Sequence, residues 1–313
     1  MPEAEAAKPR KRKRSLWRDI LAEWRIYLMV LPALLLTLVF SYIPMPGIIL
    51  AFKDFKPLSG ILSSPWVGFA NIVKIFQLPN IVRSIWNTLL ISALYLLICF
   101  PAPIVLALLL NEVRAKVFKK TVQTLTYLPH FLSWISVIGI AVGFYSTYGP
   151  LNDLRVAFGG EGTQRLMFLS FQSFFVPNVI ILSLWKEIGW GTIIYLAALS
   201  SVNPELYESA GMDGAGKFQQ MRHITLPSIA PTIIMLLIFQ LGGLFNSNFE
   251  LIFGLQNPYI DFDVISTVIY KFGIQKGQYS MTIALGFVQG LVGFLLTYIV
   301  NRIARATAGI SIW

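Results

Sequence analysis

Six stretches of the sequence are apolar over about 20 or more consecutive positions, enough for a helix to cross a hydrocarbon core of about 30 Å. Each is continuous in Leu, Ile, Val and Phe without alternating polar residues, so helices are favoured over the strands of a membrane barrel. The sequence therefore predicts an all-α integral membrane protein with a single transmembrane domain over residues 26–313. The six spans are expected at about residues 26–50, 84–110, 127–148, 171–200, 227–249 and 281–303.

The first apolar run is too long for the core of a signal peptide, and no small-residue cleavage site follows it. We expect it to remain as an uncleaved helix. The fourth run would be roughly 45 Å long as a helix, so Pro177 is expected to mark either a kink or the true start of that span. The composition agrees with a membrane protein, because 56% of the residues are hydrophobic and only 13% are charged.

Basic residues predict the orientation of the chain. The tail, residues 1–25, and the loop from Arg114 to Lys120 are rich in Lys and Arg, and such clusters beside a span hold that flank in the cytoplasm. With the N-terminus inside, 16 Lys and Arg lie on the cytoplasmic side and eight outside, with Lys186 inside the fourth span. The net charge of +10 is therefore explained by membrane orientation better than by nucleic-acid binding.

Few residues are available for a metal site or for catalysis. Cys99 is the one cysteine and His130 and His223 are the two histidines, so neither a disulfide nor a cysteine-based or histidine-rich metal site is expected. No nucleophile elbow and no paired carboxylates within a span suggest an enzyme. We expect a non-catalytic chain without a cofactor of its own.

Residues 203–227, between the fourth and fifth spans, contain a distinctive motif, NPELYESAGMDGAGKFQQMRHITLP. Asn203 is a good N-cap, Pro204 suits the first helical position and Glu205 favours the positive end of a helix. Asp213-Gly214 is a turn signal that permits a positive φ. A second helix over about 215–223 and a fifth span opened by Pro227 would complete a compact helix-turn-helix on the cytoplasmic face.

A phosphate-binding pattern, G-x-x-x-x-G-K, is matched within this segment by Gly211, Gly216 and Lys217. Phe218 stands where Ser or Thr should coordinate Mg²⁺, and no buried strand precedes the loop. Nucleotide binding by this chain is therefore not expected.

The same segment closely resembles the EAA loop of binding-protein-dependent ABC importer permeases, although Ser209 replaces the first Ala of its E-A-A. In that family the loop is the coupling helix that seats in a cleft of the ATPase subunit. The resemblance implies that Glu208 pairs with that subunit, that Gly214 shapes the turn and that Ala210 and Asp213 belong to the contact; the alternative is that these residues only cap and turn a loop. The positions that match the pattern or form the implied contact are Glu208, Ser209, Ala210, Asp213, Gly214, Ile224, Leu226 and Pro227.

The resemblance extends over most of the chain and is to the LplB-like branch of sugar-importer permeases, which is linked to oligosaccharide and polysaccharide uptake. It implies a type I ABC importer permease (MetI-like) fold in a bacterial plasma membrane, with both termini cytoplasmic. It also implies a second permease of similar fold, expected to be a different chain although an identical one stays open, an ATPase dimer that holds ATP and Mg²⁺, and an extracytoplasmic solute-binding protein. The matching segments are residues 31–55, 64–72, 106–134, 185–199 and 256–274 and the final Ile-Trp.

A sugar path would need polar and aromatic side chains inside the helix bundle, since membrane helices rarely turn such residues toward lipid. Interhelical hydrogen bonding and aromatic residues at lipid headgroups are the competing explanations. Lys186 and Glu187 should face protein or water, each with a separate partner. The path candidates are Asn178, Trp185, Trp190, Gln240, Asn246, Asn248, Glu250 and Gln289, together with Ser247.

Two further possibilities remain open. Arg155, Arg165, Lys271 or Lys276 could form an outer gate for an anionic sugar, although ordinary solvated loop charges also explain them. A self-sufficient secondary transporter or channel would explain six spans without partners, but it would leave the spacing of the EAA pattern unexplained.

Overall fold

The computed structural model describes residues 23–159 and 162–312. Regular secondary structure in these residues is helical, and the bridge between Lys53 and Trp66 is isolated from any strand. Six helical stretches of the described residues are long and apolar enough to cross a membrane, judged by length and composition. The predicted fold class is therefore confirmed. Most of the basic tail, residues 1–22, and Trp313 of the Ile-Trp ending lie outside the described residues.

The chain divides into two compact units, residues 1–49 and 50–313. In the first unit, α1 runs over Trp24–Thr37 and continues as the π-helical turn Leu38–Tyr42. None of the α1 side chains is buried, as expected for an apolar helix whose surroundings are lipid. The first spanning stretch as a whole covers Trp24–Phe52.

The second unit contains the other helices. Four long helices carry most of the remaining spans, and shorter helices connect them. In chain order they are α2 Gly60–Ser63, α3 Ala70–Gln77, α4 Pro79–Leu94, α5 Pro101–Glu112, α6 Lys116–Tyr127, α7 Trp134–Tyr145, α8 Pro150–Gly159, α9 Gln172–Ser200, α10 Glu205–Met212, α11 Lys217–Gln220, α12 Leu226–Gly242, α13 Phe249–Leu255, α14 Ile265–Val268 and α15 Tyr279–Ala308.

The second and fifth spans differ from their predicted bounds. The second begins at Pro79, because proline suits the first turn of a helix, and it continues from α4 through a π-helical turn into α5. The fifth ends at Gly242 and not at 249. After the loop, Asn248 caps α13 by accepting a hydrogen bond from the Leu251 N–H at 3.1 Å.

The third crossing is broken. The 12 residues of α7 span only about 18 Å, less than a hydrocarbon core. Immediately before it, α6 packs on α9 so closely that a Cβ on Gly189 would lie 2.1 Å from the Thr126 carbonyl oxygen. Since Gly189 lies well inside α9, the break between α6 and α7, residues 128–133, lies beside the middle of α9. By length and composition the third candidate span covers Trp134–Gly159, so the predicted span, 127–148, begins and ends earlier than this stretch.

The fourth span, α9, lies at the centre of the second unit. Its first half packs in one hydrophobic cluster with α4, α7 and α13, and its second half packs in another with α5 and α12. Pro177 lies inside α9 and neither starts nor ends it, because the helix already begins at Gln172. Every other span of this unit except α15 thus shares a core with α9.

Candidate translocation path and coupling segment

Two cavities lie side by side along the middle of α9. The first has a volume of about 280 Å³ and the second about 320 Å³. Tyr95 from the second span, Glu187 from α9 and Gln240 from α12 line both cavities. We call these three residues the collar, since they form the boundary between the two spaces.

One face of α9 supplies much of the cavity wall. Ser183, Glu187 and Trp190 line one cavity or both, and their spacing of four and three residues places them on the same side of a helix. Tyr95 opens the π-helical turn Tyr95–Cys99, a type of segment that is frequent at functional sites.

A charge cluster holds Glu187 at the wall. Its carboxylate lies 2.9 Å from His130 Nδ1 and 3.5 Å from Lys186 Nζ. Lys186 is 5% exposed and donates to the His130 carbonyl oxygen at 2.7 Å. Its ammonium also lies 5.0 Å from the centre of the Trp134 ring. The expectation that Lys186 and Glu187 have separate partners is wrong, because both side chains reach the same residue at the break in the third crossing.

This cluster explains how the break is tolerated. A helix that ends inside a membrane exposes carbonyl oxygens that water cannot reach, and an unpaired one costs several kcal/mol. The Lys186 ammonium satisfies the carbonyl of His130, and the Glu187 carboxylate balances the buried positive charge. The His130 ring also stacks on Trp190, with centroids 4.3 Å apart.

The structure brings some of the predicted path residues together. Gln240 lines both cavities, Asn246, Ser247 and Asn248 line the first, and Trp190 lines the second. Gln289 donates to the Asn246 side-chain oxygen at 2.9 Å and lines a neighbouring groove.

Three other candidates do not line these cavities. Asn178 is buried, while Trp185 and Glu250 are exposed. Sequence reasoning also missed Tyr95, Ser183 and Trp134 as lining residues. The four-and-three spacing of polar and aromatic residues in α9 was the available signal.

The strap, residues 256–264, packs beside residues that line the first cavity, near the start of α9. Phe262 and Val264 pack in the same buried cluster as the cavity-lining residues Val179 and Ile252. Arg83 binds the strap through an ion pair of 2.5 Å to Asp261. The strap is thus fastened to the second span across one end of the bundle.

Asp263 anchors the strap at its other side. Burial would raise the pKa of this carboxyl, but hydrogen bonds from Lys271, Thr267 and Gln256 and the charge of Lys271 hold it below its usual value. The Lys271 ammonium lies 2.8 Å from Asp263 Oδ1. Asp263 therefore remains ionised at neutral pH.

The four cations considered for an outer gate all have contacts. Lys271 pairs with Asp263, and Arg165 pairs with Asp153 at 2.8 Å. Arg155 donates to the Gln164 carbonyl oxygen, and Lys276 lies over the Phe272 ring. These contacts favour structural roles over a gate.

The EAA segment, residues 203–227, lies at the opposite end of α9 from the strap. The Asn203 side-chain oxygen accepts from the Glu205 N–H at 3.0 Å, so Asn203 caps α10. Gly214 has a φ of +78°, a conformation that side chains with a Cβ rarely adopt. The turn that Asp213-Gly214 predicts therefore exists.

The second limb of the segment differs from the prediction. The helix begins at Lys217 and not near 215, and it continues through the π-helical turn Met221–Thr225 directly into α12. Pro227 does not open a new helix. The π turn accommodates Pro227. The Leu226 N–H donates to the Met221 carbonyl oxygen, and Pro227 has no N–H that needs an acceptor.

Most of the predicted coupling residues are accessible. Glu208, Ser209, Asp213, Gly214 and Pro227 are exposed, whereas Ala210, Ile224 and Leu226 are partly buried. Two apolar side chains that sequence reasoning did not single out are also exposed, Met212 at 90% and Phe218 at 68%. The segment thus presents both charged and apolar groups for contact.

In the described part of the chain, no group of three or more His, Cys, Asp or Glu residues is arranged to hold a metal ion. The chemistry available at the collar is hydrogen bonding, and the aromatic rings of Trp134 and Trp190 flank it. This arrangement suits a neutral or charged molecule rich in hydroxyl groups.

Comparisons with known proteins identify a family and similar permease chains. The family model described as "Binding-protein-dependent transport system inner membrane component" matches residues 99–309. The polygalacturonan/rhamnogalacturonan transport system permease protein YteP of Bacillus subtilis is 44% identical, over 95% of this chain and 92% of that protein. Protein LplB of the same organism is also 44% identical, over 90% of this chain and 88% of its own length.

A solved structure is also similar. It is the bacterial alginate ABC transporter in complex with an alginate pentasaccharide-bound periplasmic protein. The matching chain is 40% identical, with a TM-score of 0.85, over 96% of this chain and 100% of that chain.

Replacing Lys186 with Met should destabilise the fold, because the His130 carbonyl loses its donor and Glu187 loses its balancing charge. Breaking a buried pair in this way costs about 3–5 kcal/mol. Adding Glu187→Gln should recover part of the loss. The check is the thermal unfolding midpoint in detergent, with the exposed Lys116→Met as the matched control. An unchanged midpoint for Lys186→Met would contradict the role given to this cluster.

Proposed function

The chain belongs to the family of binding-protein-dependent transport system inner membrane components, and on that premise we propose that it imports oligosaccharides using ATP hydrolysed on a partner subunit. The observation that carries this proposal is the 44% identity to YteP over 95% of the chain, since YteP is a permease for polygalacturonan and rhamnogalacturonan. The alginate transporter supports the same substrate class, oligosaccharides cut from a polysaccharide.

The working complex would contain this chain, a second and different permease of similar fold, an ATPase dimer and an extracytoplasmic solute-binding protein. ATP and Mg²⁺ would bind to the ATPase and not to this chain. The protein would lie in the bacterial plasma membrane with both termini in the cytoplasm. The basic residues support that orientation, because Arg114, Lys116, Lys217 and Arg302 belong to loops or helix ends on the side of the EAA segment.

The EAA segment would be the contact that receives the motion of the ATPase. Exposed Glu208, Ser209 and Asp213 would meet the partner, and Gly214 would set the angle between the two limbs. Ala210, Ile224, Leu226 and Pro227 would pack the segment against its own base. Its position supports the role, since it connects α9 to α12 and each of these helices supplies a collar residue.

The two cavities would be part of the sugar path. The collar and the neighbouring Asn246 and Asn248 offer donors and acceptors for sugar hydroxyl groups, and Trp190 offers a flat surface for a sugar ring. Gln289 would act by orienting Asn246. Asn178, Trp185 and Glu250 lack such support and are not included in this path.

Replacing Gly214 with Ala should uncouple transport. Ala at a φ of +78° is strained by about 1–2 kcal/mol, so uptake per ATP hydrolysed should fall roughly ten-fold while the complex still assembles. Gly211→Ala is the matched control, because Gly211 lies in α10 with no atom closer than 4.0 Å to the added methyl group. Both rates would be measured in proteoliposomes. Normal coupling in Gly214→Ala would remove the support for a coupling role.

Replacing Gln240 with Leu should slow uptake of a transported oligosaccharide about ten-fold, through loss of one or more hydrogen bonds to the sugar. ATP hydrolysis stimulated by the loaded binding protein should persist. The exposed Gln275→Leu, outside both cavities, should transport normally. Equal uptake by the two variants would place the path elsewhere.

A further inference from the structure

The first helix of the EAA segment has little that holds it in place. α10 contains eight residues, about 12 Å, and none of them is buried. Tyr207 and Ala210 are its partly buried residues. The Tyr207 hydroxyl lies 3.0 Å from Thr225 Oγ1, across the segment from α10.

Thr225 is a firm attachment point. It is 4% exposed and is the last residue of the π turn from which α12 continues. Its hydroxyl also lies 3.4 Å from the Gln220 carbonyl oxygen. If Thr225 donates to Gln220, its lone pairs are free to accept from Tyr207, so both hydroxyl groups are used.

The other hydrogen bonds of the segment do not replace this one. Ala215 N–H donates to the Ala210 carbonyl at 2.9 Å and Gln220 donates to the Ala215 carbonyl at 3.0 Å, which closes the turn itself. Among the described residues, the Tyr207–Thr225 bond is the direct side-chain hydrogen bond between α10 and the limb that becomes the fifth span.

We propose that Tyr207 is a positioning residue, which fixes α10 to the base of the fifth span through Thr225 so that force on α10 moves both spans together. The backbone already joins α10 to the fourth span through residues 201–204. It also continues from α10 to the fifth span through the turn at residues 213–216, and the Tyr207–Thr225 hydrogen bond adds a direct side-chain attachment beside that turn. Tyr207 is the neighbour of Glu208, the residue proposed to meet the ATPase, and this inference rests on that proposed coupling role.

The attachment leads to the cavities. From Thr225 the helix α12 continues without interruption to Gln240, a distance of about 22 Å. The fourth span carries Glu187 of the same collar. If a displacement of α10 moved only one of these two spans, only the collar residue on that span would move.

The test is a double-mutant cycle on the complete complex in proteoliposomes. Tyr207→Phe and Thr225→Val each remove one hydroxyl and keep the shape. Each should lower uptake per ATP hydrolysed about three- to ten-fold, and the double variant should be no worse than either single variant. Thr225→Ser keeps the hydroxyl and should couple normally. The apparent affinity for the loaded binding protein should not change in any of them.

Tyr298→Phe and Thr124→Val are matched controls, since both residues are exposed and far from this bond in sequence. If Tyr207→Phe does not assemble, the comparison of Thr225→Val with Thr225→Ser decides the same question. Normal coupling in Tyr207→Phe and Thr225→Val, with Gly214→Ala uncoupled, would overturn this inference and leave the coupling role intact. Normal coupling in all three would overturn both, and additive losses in the double variant would also contradict a shared bond.

Discussion

The fold depends on how the backbone carbonyl groups at a helix break obtain hydrogen bonds inside a membrane. The third crossing breaks between α6 and α7, and Lys186 donates to the His130 carbonyl at that break. A buried ammonium needs a counter-charge, which Glu187 provides, and Glu187 is then held at the wall where the two cavities meet. α6 also lies close to α9 at Gly189, where only a residue without a side chain lets the two backbones approach so closely. The position of Glu187 in the cavity wall thus follows from the need to give the His130 carbonyl a hydrogen-bond donor.

The spans and the EAA segment could be predicted because they depend on local properties. Apolar length identifies a helix that crosses lipid, and Asp213-Gly214 identifies a turn from backbone preference alone. The break at residues 128–133 was not predicted, because apolar length alone does not distinguish it, although Pro129 was an available local signal. The early end of the fifth span at Gly242 had a weak signal in the Gly242-Gly243 pair, which the apolar residues that follow conceal.

The cavities depend on contacts between distant parts of the chain. Tyr95, Glu187 and Gln240 come from three different spans, and their meeting requires the packing of α9 against its neighbours. Polar residues inside apolar runs are a usable signal, and it indicated Gln240 and Trp190. It also indicated Trp185 and Glu250, which do not line the cavities, because composition does not give the rotation of a helix.

In the proposed mechanism, the EAA segment joins the two spans that carry Glu187 and Gln240, so the proposed ATPase contact and the proposed path are connected through two helices. The most direct test of this account is uptake by the purified complex in liposomes. It would use oligosaccharides of polygalacturonan, rhamnogalacturonan and alginate, and a neutral oligosaccharide, each loaded on the binding protein. We expect uptake that requires ATP, the ATPase subunits and the binding protein together. Accumulation of sugar by this chain alone under an ion gradient, without ATP, would contradict it.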